Sequence, residues 1–127
     1  MLLVTAAVAA GCHSKPPSYR VQGRIVYQGS DKPFALGWVC LECTQPPYPR
    51  LKASLNENGE FALEAPAGEH RVCLEPGEAG ATRAGMAAYL RQVDKKYLVY
   101  ATAEWKVTVV PHQENNFTLY VTKPGAK

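Results

Sequence analysis

The stretch that decides the fold is residues 56–76, NENGEFALEAPAGEHRVCLEP. Asn58 and Gly59 suit the positive-φ positions of a tight turn, and apolar and polar residues alternate over 60–64 directly after it. A Pro-Ala-Gly turn follows, and the alternation resumes over 69–74. The stretch therefore predicts two successive strands, each with one buried face. The predicted buried residues are Phe61, Leu63, His70, Val72 and Leu74.

The same alternation recurs on both sides of this stretch. Turn-forming Gly, Pro, Asn and Asp residues separate the alternating segments, which is typical of a β-sandwich. Residues 44–49, TQPPYP, predict a loop because three prolines remove backbone donors from any ladder. The sequence therefore predicts an all-β fold of about seven strands in two antiparallel sheets. The additional strands are expected at 21–28, 35–43, 51–55, 105–110 and 116–122.

One short helix is expected after the central strands. Met86, Leu90 and Val93 recur at helical spacing, and Thr82 is a suitable N-cap before them. This pattern predicts a helix of about 8 to 11 residues. Residues 97–102 have strand propensity but no clean alternation, so their structure is left open.

Length, composition and charge limit the classes of protein. A chain of 127 residues with 46% apolar residues is long enough for one core and too short for two. One domain is therefore expected, over residues 19–122. The net charge of +3 is small and the Lys and Arg residues are scattered, so a nucleic-acid-binding surface is not expected.

The N-terminal residues predict export. Residues 1–11, MLLVTAAVAAG, are uncharged and nearly all apolar, and they are too short to span a bilayer as a helix. Together with Cys12 they resemble the signal peptide of bacterial lipoproteins, with 12–18 as a polar tether; an apolar first strand would need an alternation that they lack. The resemblance implies acyl chains such as palmitate on Cys12, which hold the domain on a membrane of the cell envelope. In Gram-negative lipoproteins, an Asp directly after the lipidated Cys retains the protein in the inner membrane. His13 stands at that position here, so the resemblance implies the outer membrane if the cell is Gram-negative.

The central motif also resembles a known family. The order Asn-Gly-Glu-Phe-x-Leu and then Pro-Ala-Gly-Glu-His-x-Val, residues 58–72, is similar to the motif of bacterial transthyretin-like domains, also called carboxypeptidase regulatory-like domains. His70 stands where that family usually has Tyr. The segments Lys-Val-Thr-Val and Glu-Asn-Asn-Phe-Thr-Leu, within 106–119, resemble its C-terminal hairpin. The resemblance implies a two-sheet sandwich with a helix after the fifth strand.

The cysteines allow several pairings. In the transthyretin arrangement the strands that carry Cys40 and Cys73 are antiparallel neighbours, which implies a cross-strand disulfide in an exported protein. Cys40 and Cys43 cannot pair in an extended strand, because their Cα atoms would be about 10 Å apart. A zinc site from these three cysteines and His70 is disfavoured, because His70 and Cys73 point to opposite faces. No metal or cofactor is expected.

Catalytic patterns are missing from the sequence. The histidines have no nucleophile elbow near them, and the C-terminus, Thr-Lys-Pro-Gly-Ala-Lys, lacks the Tyr-Arg-Gly-Ser of the branch of the family that hydrolyses hydroxyisourate. The protein is therefore not expected to be an enzyme. A structural or protein-interaction module and a carbohydrate-binding module both remain open; Tyr97 and Trp105 are more typical of a core. The candidate ligand-binding residues are Trp38, Tyr48, Tyr89 and Tyr100.

Overall fold

The computed structural model describes residues 17–125. The predicted signal peptide and the predicted lipidation site Cys12 lie outside the described residues. Seven strands are present in that part of the chain. They are β1 (Ser18–Tyr27), β2 (Trp38–Cys43), β3 (Arg50–Ser54), β4 (Glu60–Pro66), β5 (Gly68–Glu75), β6 (Trp105–Val109) and β7 (Asn115–Val121).

The strands form two sheets, of order β4-β1-β7 and β3-β2-β5-β6. The β-sandwich prediction is therefore confirmed. Neighbouring strands are antiparallel with one exception, because β7 runs parallel to β1. The prediction of a C-terminal hairpin is wrong, because β6 pairs with β5, whereas β7 pairs with β1 in the other sheet.

Asn115 explains why the chain changes sheets after β6. Its side chain is buried, and its Oδ1 accepts from the backbone N–H of Val110 at 2.8 Å. Its Nδ2 donates to the carbonyls of Val110, at 3.2 Å, and of Arg20 in β1, at 3.4 Å. These bonds fix the start of β7 beside β1 and satisfy backbone groups that β6 leaves behind.

The central stretch also connects the two sheets. β4 belongs to the three-stranded sheet and β5 to the four-stranded sheet, so the chain crosses the sandwich at the turn before Gly68. In the preceding turn only Gly59 has a positive φ, of 72°, whereas both Asn58 and Gly59 were expected to have one. The side chain of Asn56 holds this turn, because its Oδ1 accepts from Asn58 N and Glu60 N, each at 2.9 Å.

The core lies between the two sheets. The alternating residues predicted to be buried do face it, including His70, which is fully buried and donates from Nε2 to the Pro66 carbonyl at 2.9 Å. Tyr89, from the helix over Arg83–Gln92, and Val93, directly after it, are also part of the core. Tyr97 and Trp105 stack with ring centroids 4.7 Å apart, and Tyr97 is buried, so their expected place in the core is confirmed.

The predicted helix is confirmed in its N-cap and its length, but it is not the only helical segment among the described residues. Helix α1 covers Arg83–Gln92, and Oγ1 of Thr82 accepts from Gly85 N at 3.0 Å. A 3-10 turn, Gly77–Ala81, precedes it, and the expectation of a single helix is wrong. Within residues 17–125, no helix is long and apolar enough to cross a lipid bilayer.

Residues 95–103, called the covering segment below, are helical. They comprise a 3-10 turn, Lys95–Leu98, and the short helix α2, Tyr100–Ala103. The Asp94 side chain accepts from Lys96 N at 2.9 Å, and the Thr102 hydroxyl donates to the Lys96 carbonyl at 2.6 Å. These side-chain bonds satisfy the backbone of a helical turn and override the strand propensity of the local sequence.

Gly23 provides a test of the packing between β1 and β4. It is the register partner of Phe61, and a Cβ at this position would clash with the buried Phe61 ring. We expect Gly23→Ala to lower the free energy of unfolding by about 1–3 kcal/mol, because this core has no room for an added methyl group. Urea denaturation followed by circular dichroism measures the change.

The control for this prediction is a double-mutant cycle with Phe61→Leu. The smaller side chain leaves space for the new methyl group, so Gly23→Ala should cost clearly less in that background. An equal cost in both backgrounds would show that the Phe61 ring is not the obstacle.

Candidate functional site

The register of the four-stranded sheet gathers polar and reactive side chains on its outer face. Residues directly opposite one another on neighbouring strands point to the same side of a sheet. On the outer face, one row across the strands is formed by Lys52, Cys40 and Cys73, and the next by Arg50, Glu42, Arg71 and Lys106. This outer face, opposite the apolar core face, is the candidate functional site.

The two thiols on this face are direct partners. Cys40 on β2 lies opposite Cys73 on β5, as the family resemblance implied, and both are free thiols with 4% and 5% of their surface exposed. The disulfide between them stays a prediction. The facing Cys40 thiol lowers the pKa of Cys73, helped by the Tyr100 hydroxyl and against the effect of burial. The Cys73 thiol, burial and Glu75 raise the pKa of Cys40.

A cavity of about 390 Å³ opens onto the thiol pair. β6 pairs with β5 only as far as Val72, so residues 73–75 have no partner on that edge, and the covering segment packs against β5 instead. The cavity therefore has a floor of sheet residues and a wall from the covering segment. Its lining consists of Cys40, Arg50, Leu51, Lys52, Cys73, Glu75, Leu98, Val99 and Tyr100.

A carboxylate and two guanidinium groups lie beside the thiols. Glu42 accepts from Arg50 Nε at 2.7 Å through Oε2, and its Oε1 is bound by Arg71. Arg71 first, and then Arg50, hold the pKa of Glu42 below its ordinary value. The Tyr100 ring lies over both cations, 5.0 Å from Arg71 Cζ and 5.9 Å from Arg50 Cζ. Three strands and α2 are thus joined by one charged cluster.

The structure separates the four candidate ligand-binding aromatics. Trp38 and Tyr100 are on the outer face, and Tyr48 lies in the proline-rich loop with 55% of its surface exposed. Tyr89 is 1% exposed and packs edge-on against Phe34, so its assignment to a binding surface is wrong. On α1, Tyr89 lies beside Met86 and Leu90, the apolar residues at helical spacing, and its ring is buried. The four residues therefore do not form one aromatic platform.

The three cysteines and His70 that were considered for a zinc site point to two different faces of the sheet. Cys43 and its register partner His70 face the core, whereas Cys40 and Cys73 face outward. Among the described residues, no group of three or more His, Cys, Asp or Glu side chains is placed to hold a metal ion. The cavity on the outer face accordingly offers a pair of thiols and no closed metal-binding set.

Sequence reasoning missed the charged members of this site. Lys52, Glu42 and Arg71 look like ordinary solvent-facing strand residues until the register is known. The sequence did indicate which face these residues occupy. Glu42 alternates with the apolar residues of β2 just as Cys40 does, and Arg71 alternates with those of β5 just as Cys73 does. This alternation predicts a shared face once β2 and β5 are placed side by side.

Comparison with known sequences yields no assignment: no protein-family profile and no curated protein matches the chain. Solved structures do resemble it. A DUF3823 family protein from Parabacteroides merdae superposes with a TM-score of 0.54 and 17% identity, covering 86% of this chain and 48% of that one. The corresponding protein from Bacteroides ovatus gives 0.50 and 11%, over 84% and 45%.

Pilin subunits have a similar domain. The major pilin subunit of Bacillus cereus gives a TM-score of 0.53 at 10% identity, covering 85% of this chain and 31% of that one. A streptococcal ancillary pilin gives 0.51 at 16%, over 87% and 34%. The chain thus spans less than half of the length of these proteins. At such low identity the likeness shows the fold alone, a β-sandwich with few short helices.

Proposed function

We propose that this chain is a membrane-anchored interaction module of a bacterial cell envelope, with no catalytic role of its own. In this proposal the sandwich is of the transthyretin-like type, acyl chains on Cys12 hold it to the membrane, and the outer face of the four-stranded sheet binds a partner protein. An outer-membrane location in a Gram-negative cell follows from His13.

The observation that carries the proposal is the composition of the outer face. Trp, Tyr and Arg are the residue types that most often dominate binding energy at protein interfaces. Trp38, Tyr100, Arg50 and Arg71 all lie on this one face. Among the described residues, the outer face of the three-stranded sheet carries Arg20, Arg24 and Tyr120, but no tryptophan and no arginine that lies over an aromatic ring. The four-stranded sheet therefore offers the better protein-binding surface.

The side chains on this face are held in place before any partner binds. Glu42 fixes both guanidinium groups, and Tyr100 lies against them. A preorganised surface loses less side-chain entropy on binding, which favours affinity. This arrangement supports a recognition role better than a role as solvated surface.

A carbohydrate-binding module is the weaker alternative. Stacking on a sugar needs an open aromatic face. Lys52 Nζ lies 5.8 Å from the centre of the Trp38 ring, and the backbone of Gly77 packs against the same indole. Arginine side chains occupy one side of Tyr100. Of the candidate aromatics, Tyr48 alone is more than half exposed, and a single loop tyrosine makes a small platform.

The comparisons are compatible with this proposal. Two of the similar structures are a major pilin subunit and an ancillary pilin, and what they share with this chain is the β-sandwich fold.

Tyr100 provides the test of the binding surface. We expect Tyr100→Ala to weaken binding to an envelope protein by about tenfold, because an anchor of this type contributes more than 1 kcal/mol. The full chain carrying Cys12→Ser is immobilised, exposed to solubilised envelope, and the retained proteins are identified and then titrated individually.

Tyr120→Ala is the matched control, because Tyr120 is 49% exposed on the outer face of the other sheet. A protein retained by the parent and by Tyr120→Ala but lost with Tyr100→Ala supports the proposal. Retention of the same proteins by all three chains overturns it, as does quenching of tryptophan fluorescence by envelope polysaccharide in the absence of any protein partner.

The lipid anchor is tested separately through Cys12. We expect Cys12→Ser to move the protein from the membrane fraction to the soluble fraction, because the acyl chains supply the membrane affinity. Fractionation with immunoblotting measures the shift, and Ser14→Ala in the same segment is the control. A Cys12→Ser protein that stays with the membrane as firmly as the parent would refute the anchor.

A further inference from the structure

The thiol pair on the outer face is not explained by partner binding. An interaction surface has no need of two facing thiols at the floor of a cavity, and two apolar side chains would pack there at less risk of oxidation. The pair must therefore be considered for its own chemistry, independently of the proposed function.

We infer that Cys40 and Cys73 form a reversible dithiol–disulfide site that reacts with anionic low-molecular-weight disulfides entering the cavity beside Tyr100. The Cys73 thiolate attacks one sulfur of the small disulfide R–S–S–R, forms a mixed disulfide and releases RS⁻. Cys40 then attacks the Cys73 sulfur and displaces the second RS⁻. Overall the protein dithiol is oxidised to the Cys40–Cys73 disulfide and R–S–S–R is reduced to two R–SH, which carry away the two thiol protons.

The backbone geometry permits the second step. Cys40 and Cys73 are direct partners on antiparallel strands, and such partners have Cα atoms about 4.5–5.5 Å apart. A disulfide forms without strain at Cα separations of about 4.4–6.8 Å. The resolving thiol therefore needs no movement of β2 or β5 to reach the mixed disulfide.

The surroundings assign different roles to the two thiols. Tyr100, from α2, and Arg50, from β3, both stabilise negative charge on Cys73. Glu75 disfavours negative charge on both thiols, and on Cys40 it acts through a hydrogen bond as well. Cationic neighbours are typical of reactive cysteines. Both thiols are otherwise buried, and the cavity gives small molecules access to them. Cys73 is thus the attacking thiol and Cys40 the resolving one.

The cavity also selects the class of disulfide. Arg50 and Lys52 line it together with one carboxylate, Glu75, so its lining carries a net positive charge. Lys52 Nζ is 3.3 Å from Glu75 Oε1 and its side chain is 58% exposed, which leaves it able to meet an incoming anion. A volume of about 390 Å³ lies within the usual range for small-molecule sites. These features favour a small disulfide that carries carboxylates.

The experiment compares two disulfides on the reduced full chain carrying Cys12→Ser. Dithiobis(nitrobenzoate) is anionic, and dithiodipyridine is neutral. The parent should release two coloured thiols per chain from the anionic reagent, lose two hydrogens by intact mass, and retain no reagent. Reduced glutathione in excess should then restore the dithiol. Cys43 is an internal reference, because it faces the core and should react only after unfolding in guanidinium.

Variants separate the roles. Cys40→Ser should retain one reagent group on Cys73, and Cys73→Ser should slow release by about tenfold or more. Lys52→Gln should slow the anionic reagent roughly two- to fivefold at low ionic strength and leave the neutral one unchanged. Lys32→Gln, at an exposed position after β1 and outside the cavity lining, should change neither rate.

Each contrary result overturns the inference. Reaction of Cys43 at the rate of the pair would show non-selective thiols, and full activity of Cys73→Ser would remove its role. Equal effects of Lys52→Gln on both reagents would remove charge selection. A Cys40–Cys73 disulfide that resists excess reduced glutathione would be structural. Circular dichroism of every variant confirms that it is folded before the rates are compared.

Discussion

The register between β2 and β5 is the constraint on which the rest of the structure depends. Val39 and Leu41 of β2 lie opposite Leu74 and Val72 of β5, and all four are buried in the core. The residues that alternate with them therefore point outward as pairs. Cys40 lies opposite Cys73, and Glu42 lies opposite Arg71. A slip of one residue would send the charged and thiol side chains into the core and the aliphatic ones into water, so burial specifies the site as firmly as the fold.

The covering segment connects that core to the outer face. Tyr97 packs inside against Trp105, whereas Tyr100, three residues later, lies over the arginines outside. The segment can do both because β6 begins only at Trp105, opposite Val72, and leaves the edge of β5 at residues 73–75 open to it. An edge covered in this way is also protected from pairing with another chain. The covering segment as a whole thus completes the core, shields an edge of β5 and forms the wall of the cavity.

The sequence predicted the parts of this arrangement that depend on alternation alone. Alternation placed Cys40 and Cys73 on the faces opposite the core, and the family resemblance made their strands neighbours. Alternation could not predict that β7 would join β1 in parallel, because the face on which a side chain lies does not identify the neighbouring strand. The bonds of Asn115 to Val110 and Arg20 stabilise that arrangement. Nor could helical spacing show that Tyr89 lies inside, since a tyrosine beside an apolar stripe suits a core and a rim equally.

The two proposals for the outer face are compatible because oxidation of the pair leaves the strands where they are. Cys40 and Cys73 are already opposite one another, so a disulfide would change neither the register nor the salt bridges of Glu42. What changes is local: Cys73 can no longer carry the negative charge that Tyr100 and Arg50 stabilise. Tyr100 belongs both to the cavity wall and to the proposed protein-binding surface. Arg50 likewise lines the cavity and belongs to that surface. We therefore expect any effect of thiol oxidation on partner binding to pass through the positions of these two side chains.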